Sequence, residues 1–205
     1  MINNIDIKLI FPTPLIETNL GRDFTKQEKD FVKKCASDCY DNFGNFTSKN
    51  SYVLESPELK DLKDFCLEAV NIMIKEAYQP QNNIEPYITQ SWLNYTHYQG
   101  HHHLHDHPNS LISGVLYINS DIDKDKIVLY RHNYVQIRIE SPSNNIYYDS
   151  YTLPVNTGKL ILFPSSTLHH VPKTTNTKTR ISIAFNTFIK GDLGTNEGLT
   201  ELKLT

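Results

Sequence analysis

The sequence predicts a mostly β fold of the α+β class: a jelly roll, cupin-like, with N-terminal helices packed on one face. Three observations predict it. Residues 57–79 carry a long apolar stripe at helical spacing. From about residue 86 the texture changes to short runs rich in Ile, Val, Tyr and Leu, separated by Asn, Ser, Asp, Pro and Gly. Eight such runs follow at regular spacing, the mark of an all-β sandwich or barrel.

Taken in order, a first helix is expected over 25–41, where Phe31, Cys35 and Cys39 fall at helical spacing behind Thr25. The second helix, 57–79, has Ser56 as N-cap and Pro57 at its first position. Glu58 and Asp61 sit near its positive end. Leu59, Leu62, Cys66, Ala69, Val70, Met73 and Ala77 form its buried stripe, and Pro80 ends it. The strands are expected at 87–98, 111–119, 126–131, 134–140, 145–153, 158–163, 167–171 and 180–189. In the last of these Ile181, Ile183 and Phe185 point one way, and Arg180, Ser182, Ala184 and Asn186 the other. The polar set suits either solvent or a polar barrel interior.

At 205 residues the chain reads as one domain, 1–205: strand and helical support over 1–85, a barrel core over 86–190 and a tail over 191–205. Hydrophobic residues make up 39% and charged residues 21%, enough for a full core. Twenty Lys plus Arg against 23 Asp plus Glu give a net charge of −3, which argues against phosphate-driven nucleic-acid binding. Cys35, Cys39 and Cys66 are too few for a disulfide framework and suit a reducing compartment. The N-terminus lacks a basic segment and an apolar run, and no 18-residue apolar stretch occurs. The expectation is therefore a cytoplasmic protein, in the host cytoplasm if viral, with no membrane partner.

The segment GHHHLHDHP, 100–108, is the loudest chemical signal. In extended backbone His101, His103, His105 and His107 share one face. A His-x-His pair delivers two imidazoles to one point, and a metal needs a third ligand from elsewhere. His169 and His170 in GKLILFPSSTLHHV are the main candidates, with His132 and His97 as further options. The placement of Gly158, Pro164 and His169 follows the second metal motif of the cupins. Gly100, His105, His107 and Gly114 partly echo the first, although Leu111 and Ile112 stand where its Glu is expected. Both comparisons favour His105, His107 and His169 as one metal site. Eleven residues after His169, Arg180 would point into such a barrel. A buried Arg needs an anion, and a small dicarboxylate matches its fork, with Ser182 as a further donor.

In the segments IFPTPL, SWLNY (91–95), HDHPNSLISGVLYIN, GKLILFPSSTLHHV and RISIAFN, the chain resembles the small 2-oxoglutarate/Fe(II)-dependent oxygenases of marine phage and bacteria. The resemblance implies a double-stranded β-helix, with Fe(II) as cofactor and 2-oxoglutarate and O2 as co-substrates. It implies hydroxylation of a substrate with conversion of 2-oxoglutarate to succinate and CO2. It implies His105, His107 and His169 as catalytic iron ligands and Arg180 as the residue that binds the distal carboxylate of 2-oxoglutarate. Ser182, Tyr117, Asn94 and Ser113 would complete that pocket. One departure stands out. The wider superfamily uses His-x-Asp/Glu…His, whereas the middle position here is His107, and Leu104 prevents Asp106 from taking that role. Three neutral imidazoles leave an iron its full charge, which a bound dianion would neutralise.

Two alternatives stay open at this level. One is a cupin-like metalloprotein that does not use 2-oxoglutarate; the other is a non-catalytic jelly-roll binding module. The prime substrate, whether small-molecule, peptidyl or nucleotide, is not legible, and a homodimer is compatible with the sequence. Trp92 reads as packing rather than substrate contact, and the segment 130–151 as an edge hairpin or a substrate-facing flap.

Overall fold

Two antiparallel sheets face each other in the computed structural model, which describes residues 6–131 and 148–205. The elements in chain order are β1 (Ile16–Asn19), α1 (Lys26–Cys35), β2 (Cys39–Asp41), β3 (Phe46–Ser48), α2 (Lys60–Met73), β4 (Ile84–Thr96), β5 (His102–His105), β6 (Ile112–Asn119), β7 (Lys126–Tyr130), β8 (Ser150–Pro154), β9 (Lys159–Pro164), β10 (His169–Val171), β11 (Arg180–Leu193) and β12 (Leu202–Leu204). The major sheet runs β1-β9-β6-β11-β4-β3-β2, with β12 on the end of β11. The minor sheet runs β5-β10-β7-β8. This is the double-stranded β-helix, with the helices on one outer face.

Alternation on the central strands sorts side chains into two cores. Leu93 and Tyr95 of β4, Leu116 of β6, Leu162 of β9, and Ile183 and Phe185 of β11 pack outward, against Leu62, Cys66, Val70 and Met73 of α2. Between the sheets lie Tyr117, Ile127, Leu129, Leu153, Ile161, Phe163 and Val171. Gly114 of β6 is a close-packing position. A Cβ there would stand 2.2 Å from Cζ of Phe185 and 2.7 Å from Cδ2 of Leu162.

The helix over 57–79 forms, but it opens as a 3-10 turn over Pro57–Leu59 before α2 and closes as a π turn over Ile74–Tyr78. Ser56 makes no side-chain cap bond. Gln79, at φ 46°, and then Pro80 end it. The first helix stops at Cys35, six residues short of the expected end at 41. It starts on a capping box: Thr25 Oγ1 accepts from Glu28 N at 3.2 Å, and the Glu28 carboxylate accepts from Thr25 N at 2.7 Å. Residues 39–41 instead pair with β3 as a hairpin. Phe31, Cys35 and Cys39 all pack on the same core, so burial satisfies the helical spacing although Cys39 belongs to a strand.

Six of the expected strands correspond to β4, β6, β7, β9, β10 and β11, and the seventh to β8. The strand expected at 134–140 and the start of 145–153 lie outside the described residues, as do His132 and most of the 130–151 segment. Strands β1, β2, β3, β5 and β12 are additional. Among the described residues, no helix is long and apolar enough to cross a membrane.

Candidate metal centre

The histidines converge through cross-strand pairing. His169 opens β10 opposite His105, the last residue of β5. His107, just past β5, is tied by its N–H to the Ser165 carbonyl at 2.9 Å, in the turn before β10. The ligand atoms of His105, His107 and His169 all lie within 4.8 Å of one another.

Their tautomers follow from valence. Nδ1 of His105 is 2.8 Å from the His103 carbonyl, and Nδ1 of His169 is 2.9 Å from the Thr167 carbonyl. A carbonyl only accepts, so both Nδ1 atoms donate and both Nε2 lone pairs are left for a cation. Burial, and then the neighbouring His105, hold His169 down to about 3 and His107 to about 4. Burial also lowers His105. Neutral imidazoles at pH 7 are what a metal requires. The edge of the Phe163 ring packs on His169 at 4.7 Å, and the Trp92 ring lies 5.7 Å from His107. Trp92 is thus a wall of this site rather than core packing.

The expected face of the histidine run is not the observed one. Between β5 and β10 the register moves from His169↔His105 to Val171↔His102, three residues on one strand against two on the other. That bulge shifts the alternation by one position. His102, not His103 or His101, joins His105 and His107 at the cavity, while His103 is exposed. His102, His103 and His105 also come within 4.8 Å of one another. His105, however, has one free nitrogen for either group, and the His102 ring stacks on it, 4.4 Å away at 29°, instead of aiming a lone pair beside it.

From the three imidazoles a narrow cavity runs between the sheets, walled by Asn94, His102, Val115, Tyr117, Ile127, Val171, Arg180, Ser182 and Ala184. Arg180 is 3% exposed. Its Nη2 donates to Thr96 Oγ1 at 3.1 Å, while Nε and Nη1 have no partner among the described residues. Burial lowers its pKa, opposed by Tyr117 and by the charge of Asp125. Asp125 does not pair with it. Its carboxylate is taken up by Thr174 Oγ1 at 2.6 Å, Asn176 Nδ2 at 3.1 Å and the Asp121 N–H at 2.9 Å. Among the described residues, no Asp or Glu lines the cavity. A buried guanidinium with two idle nitrogens is a receptor for an anion.

The other expected pocket residues divide. Ser182, Tyr117 and Asn94 line the cavity. Oδ1 of Asn94 accepts from Thr47 Oγ1 at 3.0 Å and Asn45 Nδ2 at 3.3 Å, so what it can offer the cavity is its amide nitrogen. Ser113 does not reach the cavity. It donates to Asn186 Oδ1 at 2.8 Å and meets Ser165 Oγ at 2.8 Å. Ser113 lies four residues from Tyr117 along β6, about 13 Å away, in the direction away from Arg180, since Tyr117 pairs with Ser182 and Ser113 with Asn186. His170 points away from the triad, toward Tyr130 at 5.6 Å, and His97 bonds to Thr179.

A larger groove, lined by Leu15, Leu129, Tyr130, Tyr151 and Phe163, shares no residue with the cavity. Its Leu129 pairs with His169 across β7 and β10, and its Phe163 and Thr167 contact His169.

Sequence reasoning missed His102, which the bulge brings inward, and Asn42, whose Nδ2 lies 3.2 Å from His102 Nε2. The His run marked the first; no sequence signal marked the second.

Comparison with known proteins agrees with this architecture. A family model described as "Putative 2OG-Fe(II) oxygenase" matches residues 90–186. No curated protein matches the sequence. Among solved structures, the non-heme alpha ketoglutarate dependent carbocyclase SnoK from nogalamycin biosynthesis superposes with a TM-score of 0.59. It is 12% identical, over 91% of this chain and 85% of that one. HygX from Streptomyces hygroscopicus, with nickel and 2-oxoglutarate bound, gives 0.58 at 10% identity over 85% and 82%. A prolyl hydroxylase from Trichoplax adhaerens gives 0.55 at 14% identity over 85% and 83%. At these identities the likeness is one of fold.

Proposed function

We propose that this chain is a 2OG-Fe(II) oxygenase, the family whose model matches residues 90–186, in which His105, His107 and His169 hold Fe(II) while Arg180 receives the distal carboxylate of 2-oxoglutarate. The activity is that of a non-haem Fe(II)- and 2-oxoglutarate-dependent dioxygenase with O2 as second co-substrate. The observation that carries the residue assignment is Arg180: a 3% exposed cation with two unpartnered nitrogens, in the same cavity as three convergent neutral imidazoles.

The donor set fits the group. His105, His107 and His169 would hold the metal through three neutral imidazoles that bring no charge, so one carboxylate of a 2-oxo acid would offset the charge of the metal and the other that of Arg180. When bound, the iron and 2-oxoglutarate supply the oxidative chemistry, in which 2-oxoglutarate becomes succinate and CO2 and a substrate is hydroxylated.

The protein's own part is positional. The His103 and Thr167 carbonyls fix the His105 and His169 rings so that Nε2 faces inward. Val115, Ile127 and Val171 exclude water along the cavity and strengthen the pull of Arg180 on a carboxylate. Ser182, Tyr117 and the Asn94 amide add neutral donors. HygX, on the same fold, has been seen with nickel and 2-oxoglutarate and with iron bound, which supports this reading of the cavity.

The test is an anaerobic titration of apo-protein with Fe(II) and then 2-oxoglutarate, watching the visible metal-to-ligand charge-transfer band. The band is expected in the wild type. In Arg180→Ala it should need about 10- to 100-fold more 2-oxoglutarate, the worth of a charge-assisted bond, with Fe(II) binding retained. His105→Ala, His107→Ala and His169→Ala should each lose Fe(II). Iron bound without a band would point to a cupin-like metalloprotein, and no iron at all to a binding module.

A further inference from the structure

We propose that His102 is a co-substrate-binding residue: its Nδ1–H donates to the carboxylate of 2-oxoglutarate at the metal end of the cavity, and Asn42 holds the imidazole in the tautomer that allows it. The proposal rests on the function assigned above and adds a second anchor, beside the metal ligands.

Position is the first argument. The β5 bulge turns His102 into the cavity that Arg180, Asn94 and Ser182 also line. Its ring stacks on His105 at 4.4 Å, so it sits beside the metal ligands; it pairs with Val171, two residues along β10 from His169, and still feels the charge of Arg180.

Valence is the second. The Asn42 amide nitrogen, 3.2 Å from His102 Nε2, can only donate. Nε2 therefore accepts, and the proton of the neutral ring lies on Nδ1. No hydrogen bond within the described residues uses that Nδ1–H. A neutral donor suits the place, because a cation there would face both Arg180 and the metal, whereas a neutral N–H adds a bond to the carboxylate without adding charge.

The third argument is how firmly Asn42 is held. Its own N–H donates to the Asn45 carbonyl at 2.8 Å, closing the turn of the β2–β3 hairpin. The Gly44 carbonyl of that turn accepts the His101 N–H at 2.9 Å. Gly44 has φ +132°, and a Cβ there would meet the His101 ring at 2.5 Å. The same hairpin sends Asn45 and Thr47 to Asn94. An element far from the barrel in sequence is thus bolted to its polar wall at three points.

Four variants test this on the anaerobic Fe(II) protein: His102→Phe, which keeps the stack and removes the N–H; His102→Gln, which restores a donor; Asn42→Ala; and Arg180→Ala as reference. The charge-transfer band reports the dissociation constant of the 2-oxo acid, and a separate titration reports Fe(II) affinity. His102→Phe should weaken 2-oxoglutarate about 10- to 100-fold, the worth of a hydrogen bond to a charged group, with Fe(II) affinity within about twofold of the wild type. His102→Gln should recover part of the loss, and Asn42→Ala should lose affinity in the same direction by a smaller factor. With 2-oxobutyrate, which lacks the distal carboxylate, His102→Phe should still weaken binding whereas Arg180→Ala should no longer do so.

Wild-type affinity for 2-oxoglutarate in His102→Phe overturns the assignment. Loss of Fe(II) together with the 2-oxo acid also overturns it, by placing His102 in the metal's own ligand set. A His102→Phe effect that vanishes with 2-oxobutyrate overturns the choice of carboxylate. Absence of the band in the wild type instead overturns the oxygenase reading on which the assignment stands.

Discussion

The two faces of the central strands do different work. On β4, β6 and β11 the side chains turned to the helices are Leu93 and Tyr95, Leu116, and Ile183 and Phe185. Their immediate neighbours, turned to the barrel, are Trp92 and Asn94, Tyr117, and Arg180 and Ser182. One face buries hydrocarbon and stores stability; the other carries a cation unpaired among the described residues, and polar groups that stability alone would remove. A strand has period two, so a slip of one residue would exchange them. This lets a chemically costly site sit one residue from the best-packed part of the molecule.

If the faces are separable, substitutions should affect stability very differently. Phe185→Ala, on the helix face, should cost the most, about 3–5 kcal/mol in chemical denaturation. A loss below about 1 kcal/mol would mean that the outer core is not the main store of stability.

A smaller effect, about 1 kcal/mol at neutral pH, is expected for Glu28→Gln, away from both faces. Glu28 is buried, which raises its pKa, but bonds from Arg22 at 2.7 and 3.0 Å and from the Thr25 N–H outweigh that and leave it lowered. Arg22 is partly exposed, so the pair is discounted for solvent. A lowered carboxyl pKa stabilises above the unfolded value of about 4.3, and the contribution is lost as pH falls through the folded value. The wild-type advantage over Glu28→Gln should therefore be constant from pH 7 to about 5 and shrink below about 4. An advantage that persists in acid would remove the ion pair from the account.

The smallest change in stability is expected for Arg180→Ala, on the barrel face: near zero, or a gain, because an uncompensated buried cation is removed. The comparison breaks if this variant unfolds like Phe185→Ala.

Much of this division was legible beforehand. Arg180, Ser182 and Ala184 alternate with Ile181, Ile183 and Phe185 in plain sequence, and they divide between the faces as read. The convergence of His105, His107 and His169 followed from motif spacing. The outcome differed wherever a distant segment intervened. The helix expected to 41 stops at Cys35 because residues 39–41 find a partner in 46–48, and short strands such as β1 and β12 exist only through their neighbours. Ser113 lies on the barrel side of β6 but, about 13 Å from Tyr117, joins Asn186 and Ser165 instead.

By itself, then, the sequence determined the periodicities, the two-faced strands, the ligand types and the arginine at the head of the last barrel strand, since these depend on residue chemistry at local spacing. Only the tertiary structure decided which of five consecutive-zone histidines turn inward. That choice depends on a bulge between β5 and β10, and on Asn42 arriving from a hairpin sixty residues away along the chain. Hydrogen-bond register between segments so distant is settled by the packing of the whole molecule, which no local pattern encodes.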